Sequence, residues 1–149
     1  PGKLEYARAL GATTVIDSSS TSVVEAVREL TNGGADYVFE TSGVPAAAES
    51  CIEMVGNGGT VVLVGIPSQQ TTISIKPADL IPREIAILTS HVGSLRPSVD
   101  LPRYITLAKQ GQLQLEPLVS NRFSLEDINE GFAAMSSGAT ARSIVVFDS

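Results

Sequence analysis

The side chains here that most readily do chemistry are few: the chain has one histidine, His91, and one cysteine, Cys51. His91 is the natural candidate for acid–base work, because an imidazole exchanges protons near neutral pH. It stands, however, just after the apolar run Ile85-Ala86-Ile87-Leu88-Thr89, with no carboxylate close by in sequence. A histidine so placed reads as structural. Cys51 falls in a small-residue stretch and reads as a packed thiol. A catalytic zinc needs about three protein ligands from among His, Cys and carboxylates. One His and one Cys in separate segments do not make such a set, so no metal is expected in this chain.

A second kind of chemistry belongs to turns rather than to reactive side chains. Thr41-Ser42-Gly43 follows the run Asp36-Tyr37-Val38-Phe39-Glu40. Open parallel sheets bind ligands just past the carboxyl ends of their strands. The same triplet also reads as an ordinary turn in which Gly43 supplies backbone freedom, and the two readings are compatible.

The elements that would position these turns follow from periodicity and punctuation. Short β-rich runs alternate with helical patterns, which marks an α/β fold. A helix is expected over 3–10, ended by Gly11, and then a strand at Thr13-Thr14-Val15-Ile16. Ser22 with Glu25 three residues on is a capping box. The helix it opens carries Val23, Val27 and Leu30 on one face, and Asn32-Gly33-Gly34 stops it. The Asp36–Glu40 strand comes next, then a helix from Pro45 to about Val55, stopped by Gly56-Asn57-Gly58-Gly59. Thr60-Val61-Val62-Leu63-Val64-Gly65 is the clearest buried strand. A looser stretch covers 66–84, and Ile85–Thr89 is a further strand.

After Gly93 the character changes. Pro97 and Pro102 introduce a helix with Leu101, Ile105 and Ala108 on one face. Residues 118–123 are extended. Ser124 and Asp127 form a second capping box ahead of a stripe of Leu125, Ile128, Phe132 and Met135. Residues 142–147 make a last strand. A boundary near residue 93 gives two domains, 1–93 and 94–149.

Composition narrows the partners. The net charge is −6 and the ten Lys and Arg are scattered, so there is no basic face for a nucleic acid. Hydrophobic residues make up 43% and charged ones 17%, a globular balance rather than a disordered one. No apolar run approaches membrane-spanning length. A single cysteine excludes an intrachain disulfide and suits a reducing compartment, so a cytoplasmic location is expected.

Five segments, in order, resemble the medium-chain, zinc-type alcohol dehydrogenase family. Lys3–Thr13 is similar to the helix after the second strand of its coenzyme domain. Residues 36–43 resemble the fourth strand and its turn, and 58–65 the fifth. Ser124–Phe132 and Ala141-Arg142-Ser143-Ile144-Val145-Val146 resemble the closing helix and strand. The resemblance implies a partial Rossmann-like, doubly wound parallel sheet lacking its first two strands. On it, 1–93 is the later part of an NAD(P)-binding domain and 94–149 a segment returning to the catalytic domain.

It also implies roles. Lys3 matches a lysine that reaches the adenosine ribose. Thr41, Ser42 and Gly43 border the cofactor. The backbone of Val64, Gly65 and Ile66 contacts the nicotinamide, and their apolar side chains pack on its ring. Ser90 and Val92 match positions whose backbone groups hold the carboxamide. Arg142 matches an arginine that pairs with the pyrophosphate. Cys51 and His91 match no catalytic position.

The parent activity implied is hydride transfer between a small alcohol or aldehyde substrate and NAD or NADP. The family's Gly-x-Gly-x-x-Gly loop and zinc ligands are not in this sequence, and the chain opens Pro1-Gly2-Lys3 with no apolar leader and no Met. It is therefore expected to be a fragment, inactive alone, with zinc belonging to the missing part. A zinc-free quinone or enone reductase and a non-catalytic association module are the alternatives. A homodimer is expected through residues 85–90, where an apolar sheet edge invites pairing. With strands 1 and 2 absent, an empty gap would leave backbone groups unpaired, so residues 13–16 move beside strand 36–40, or another chain fills the gap, or residues 1–34 pack loosely; the first, with the lowest cost, is expected.

Overall fold

The computed structural model describes residues 2–137 and 142–147. Its elements in chain order are α1 (Gly2–Ala9), α2 (Val23–Leu30), β1 (Ala35–Glu40), α3 (Pro45–Met54), β2 (Val55–Leu63), α4 (Pro77–Leu80), β3 (Ala86–Thr89), α5 (Pro97–Lys109), β4 (Val119–Phe123), α6 (Ile128–Ser136) and β5 (Arg142–Val145). They fall into two compact units, Ile16–Leu95 and Pro1–Val15 with Arg96–Ser149.

Ile16–Leu95 is an α/β unit built on a parallel sheet of order β1-β2-β3. Val38, Val61 and Ile87 stand side by side in register. With Cys51, Ile52 and Val55 they form the core, and Val55 and Val61 are sealed from water. Each such side chain contributes about 1.5–3 kcal/mol relative to leaving it exposed. The register row one residue further on, Phe39, Val62 and Leu88, points to the opposite face, where Phe39 and Leu88 are exposed, as is Tyr37.

α3 covers the core face because its sequence is built for close approach. Pro45 occupies the first turn, where its missing N–H costs nothing. Ala48, Cys51 and Ile52, at helical spacing, are buried. At its C-terminus two arginines donate to carbonyls: Arg28 to Glu53 O at 3.0 Å, and Arg83 to Ile52 O at 3.3 Å and also to Val55 O. They satisfy acceptors that a helix end leaves open and complement its dipole. α2, capped by Ser22 Oγ from Glu25 N, packs on α3. Its inward residues are Val23, Val24, Ala26 and Val27, whereas Leu30 is exposed.

Three sequence expectations about this sheet and its surroundings are corrected. Residues 13–16 form no strand, and the sheet ends at β1. The expected cost of an unpaired edge applies to buried groups, whereas Asp36, Tyr37 and Phe39 on this edge are exposed, within reach of water. α3 ends at Met54, ahead of the glycines at 56–59 as expected, but the next strand begins at Val55 rather than Thr60, so the glycines lie within it. They form a bulge inside β2, where pairing steps from Ala35↔Val55 to Tyr37↔Thr60. Within 66–84, the short α4 and a 3-10 turn over Ile81–Arg83 occupy what reads as loop.

In the other unit, β4 and β5 pair in parallel, Phe123 opposite Val145. α6 lies on them with Gly131 buried; a Cβ there would stand 3.3 Å from the Phe123 ring. Ser124 and Asp127 do exchange side-chain and backbone bonds, but in the turn ahead of α6, which starts at Ile128. The stripes expected on the helices stay largely outside: Leu101 and Ile105 of α5, Phe132 and Met135 of α6, and Leu125 ahead of α6 are exposed. Ala141 lies outside the described residues. No helix among the described residues is long and apolar enough to cross a membrane.

Candidate functional site

The three strands of Ile16–Leu95 run in one direction, so their carboxyl ends gather at one edge. There a cavity of about 350 Å³ opens. Its lining includes Gly43, Val64, Gly65, Ile66 and Ser90, all singled out from sequence, together with Glu40 and His91. The remaining wall is chiefly apolar, with Val44, Leu63 and Ile73 among its members.

Glu40, the last residue of β1, organises this end. Its backbone carbonyl accepts from Val64 N at 2.8 Å and Gly65 N at 3.0 Å. Its side chain folds back and accepts from Ser42 N at 2.6 Å, from the Ser42 hydroxyl, and from Gly43 N at 3.0 Å. Glu40 is only 4% exposed. Burial pushes its carboxyl up, but the bonds from Ser42 and Gly43 together outweigh burial and hold it below the ordinary glutamate value. The Cys51 thiol is pushed up by its own burial and by the Glu40 charge, so it stays protonated and unreactive, as a packed thiol should.

The turn closes on β2 with almost no space between. Gly43 has φ +73°, and a Cβ on it would meet Ile66 O at 2.9 Å. A Cβ on Gly65 would meet Gly43 N at 2.1 Å and Glu40 Oε2 at 2.7 Å. Both positions require glycine, one for conformation and approach, the other for approach alone.

The hydrogen bonds also say what this wall can offer a ligand. The N–H groups of Ser42, Gly43, Val64 and Gly65 bind Glu40, and Ser90 N binds Leu63 O at 2.9 Å. These positions therefore have carbonyl oxygens, the Ser90 hydroxyl and the apolar Val64 side chain to present, and not N–H groups.

The other expected residues are placed differently. Thr41 and Ser42 sit in the turn but do not line the cavity. Val92 also stands off the lining, exposed, in a turn where Val92, Gly93 and Ser94 all have positive φ, 53°, 65° and 57°. A β-branched residue at such a φ is an outlier. Lys3, exposed in the first turn of α1, and Arg142, exposed at the start of β5, belong to the other unit. Among the described residues no three His, Cys, Asp or Glu side chains stand together as a metal site would need.

A mostly apolar cavity at the carboxyl ends of parallel strands, walled by glycines, is the arrangement in which open α/β sheets take nucleotides. Residues 1–110 match the model of the zinc-binding dehydrogenases.

The chain belongs to that family.

Among the chain's curated relatives, alcohol dehydrogenase 2 of Oryza sativa subsp. japonica is 31% identical over 99% of the chain. An L-threonine 3-dehydrogenase of Burkholderia vietnamiensis is 34% identical over 96%. An alcohol dehydrogenase zinc-binding domain protein from Burkholderia ambifaria superposes with a TM-score of 0.91 at 34% identity over the whole chain. A zinc-binding dehydrogenase from Sinorhizobium meliloti 1021, bound to NADP, does so with a TM-score of 0.86 at 28% identity over 98%. The chain spans 40%, 41%, 40% and 42% of those four proteins, respectively. The fold is thus part of the Rossmann domain of a dehydrogenase, and the family is one of NAD(P)-binding oxidoreductases.

Sequence reasoning passed over Glu40. Its signal was an acidic residue at a strand's end followed within three positions by Ser and Gly, whose N–H groups a carboxylate can gather.

Proposed function

We propose that this chain supplies the nicotinamide-holding wall of a zinc-dependent dehydrogenase that moves a hydride between an alcohol or aldehyde and NAD or NADP. The supporting observation is the cavity at the ends of β1, β2 and β3, which brings Gly43, Val64, Gly65, Ile66 and Ser90 to one lining. The nicotinamide ring fits this lining chemically: it is flat and apolar on its faces, and its carboxamide can donate to backbone carbonyls. When bound, it supplies the site that gives or takes the hydride.

The chain's own contribution is to bind and orient. Val64 and Ile66 pack on the ring, and carbonyls at the ends of β2 and β3, through Ser90 and Val92, hold the carboxamide. Thr41, Ser42 and Gly43 close one side. Lys3 and Arg142 serve the ribose and pyrophosphate. Residues 1–93 are assigned to the cofactor domain and 94–149 to the segment returning to the catalytic domain, in a cytoplasmic enzyme. With one His and one Cys, the residues present do not fit a catalytic zinc. The sheet's β3 edge would carry a homodimer through residues 85–90. A Leu88→Lys variant should then sediment as a monomer, and an unchanged sedimentation coefficient counts against that interface.

The test of the site is a titration of the chain with reduced nicotinamide mononucleotide, followed by amide resonances. Saturable shifts concentrated at Gly43, Gly65 and Ser90 are expected, without turnover of any alcohol. Shifts absent from those three residues would sink the assignment.

A further inference from the structure

The cavity has a charged wall that its proposed role does not require. The Glu40 carboxylate is buried, lines the cavity, and lies directly behind Gly43 and Gly65. Its partners are N–H and O–H dipoles from Ser42 and Gly43, which stabilise the charge without cancelling it. No Lys or Arg lines the cavity, and no ion pair to Glu40 exists among the described residues. A net negative charge therefore stands in a poorly solvated wall, where Coulomb interactions act at an effective dielectric well below that of water.

Given the reading above, on which this inference rests, the ligand facing that wall changes charge during the reaction. The oxidised nicotinamide ring carries a positive charge. On accepting a hydride, with its electron pair, the ring becomes neutral. We propose that the Glu40 carboxylate makes this cavity discriminate between the two redox states, holding the cationic, oxidised ring more tightly than the neutral, reduced one. The bonds that keep Glu40 below the ordinary glutamate value keep this charge in place at neutral pH. By linkage, preferential binding of the oxidised form makes the bound ring harder to reduce.

A purely architectural role for Glu40 would affect both ring forms alike, so the difference between them is the diagnostic. The probes are nicotinamide and the methylnicotinamide cation, methylated on the ring nitrogen, which differ in charge and little else. Each is titrated into the chain at pH 8, so that His91, the other titratable side chain on the lining, faces both probes under the same condition. Binding is read from the Gly43, Gly65 and Ser90 amides. The chain should favour the cation by at least about tenfold, which at an effective dielectric near 20 is what one unit charge gives at a separation of about 12 Å and exceeds at any closer one. In Glu40→Gln the preference should fall to within about twofold of parity, since the uniform part of binding is unaffected by removing a charge.

Glu29→Gln removes the same charge from an exposed position on α2, off the cavity lining, so it should retain the preference. If Glu40→Gln does not fold, the parent chain and Glu29→Gln decide the matter between them. Equal affinities in the parent chain, loss of the preference in Glu29→Gln, or a folded Glu40→Gln that keeps it, each overturns the proposal. If reduced nicotinamide mononucleotide binds but the two probes bind equally, the functional reading stands and this inference fails. If the cation is preferred but the mononucleotide does not bind, the charge selectivity stands and the functional reading fails.

Discussion

The two faces of the β1–β2–β3 sheet have the same kind of residues and opposite surroundings. Under α3, Val38, Val61 and Ile87 share a closed core, and Val61 is 0% exposed. On the other face Tyr37, Phe39 and Leu88 are 66%, 61% and 56% exposed. Strands apolar on both faces are the pattern of a parallel sheet sandwiched between helices, and within Ile16–Leu95 α3 covers one side. Apolar character in a strand thus says that a face can be buried, and only the surrounding elements say whether it is. Stability in this unit should come almost wholly from the α3 side.

Four measurements would break or sharpen that contrast. The largest effect should be Gly65→Ala at the carboxyl end of the covered face, where backbone atoms leave no room for a Cβ. We expect a loss of more than about 3 kcal/mol in denaturant unfolding; a loss below about 1 kcal/mol would mean the Gly43–Gly65 approach is not tight. Val61→Ala opens a void in the core and should cost about 2–3 kcal/mol. A near-neutral result there would erase the distinction between the faces.

The third measurement concerns acid. Glu40 has its carboxyl held below the ordinary value of 4.5 by hydrogen bonds made in the fold. Its contribution is therefore fully present above that value and lost as pH falls through the lower, folded one. The stability difference between the parent chain and Glu40→Gln should be constant at neutral pH and shrink only below pH 4.5. A difference that stays flat through acid would show that Glu40 is not the titrating group. The smallest effect should be Phe39→Ala on the bare face, within about 0.5 kcal/mol of the parent. A cost matching that of Val61→Ala would show the bare face to be covered in solution.

Much of this was legible in the residues, for reasons that differ by element. β1, β2 and β3 showed themselves as β-branched and aromatic runs ending at turns. α3 showed itself through Pro45 and its alanines, and the Ser22 cap through its hydroxyl. The Thr13–Ile16 run has the same local character yet forms no strand, because a strand exists by pairing and β propensity carries no information about partners. The strand after α3 begins at Val55, ahead of the expected Thr60, for a related reason. Glycine marks a departure from regular geometry but does not say whether that is an end or a bulge. The lining residues Gly43, Val64–Ile66 and Ser90 could be placed from the order of strands alone. Glu40 needed a finer signal than strand order, since its importance lies in a side chain that gathers the N–H groups of the turn after its strand.

The register of this sheet also has a kinetic meaning. Each ladder joins residues about two dozen positions apart, Val38 with Val61 and Val61 with Ile87, so no hairpin can start the sheet and zip it closed. The chain must close two sizeable loops before the first ladder bond gives any return, and loop closure of that kind is what slows non-local folds. α3, whose contacts are local, can form early, whereas the three strand ends that shape the cavity come together late. In refolding, helical signal should therefore run ahead of the cavity, and the ligand site should be among the last parts of the unit to appear.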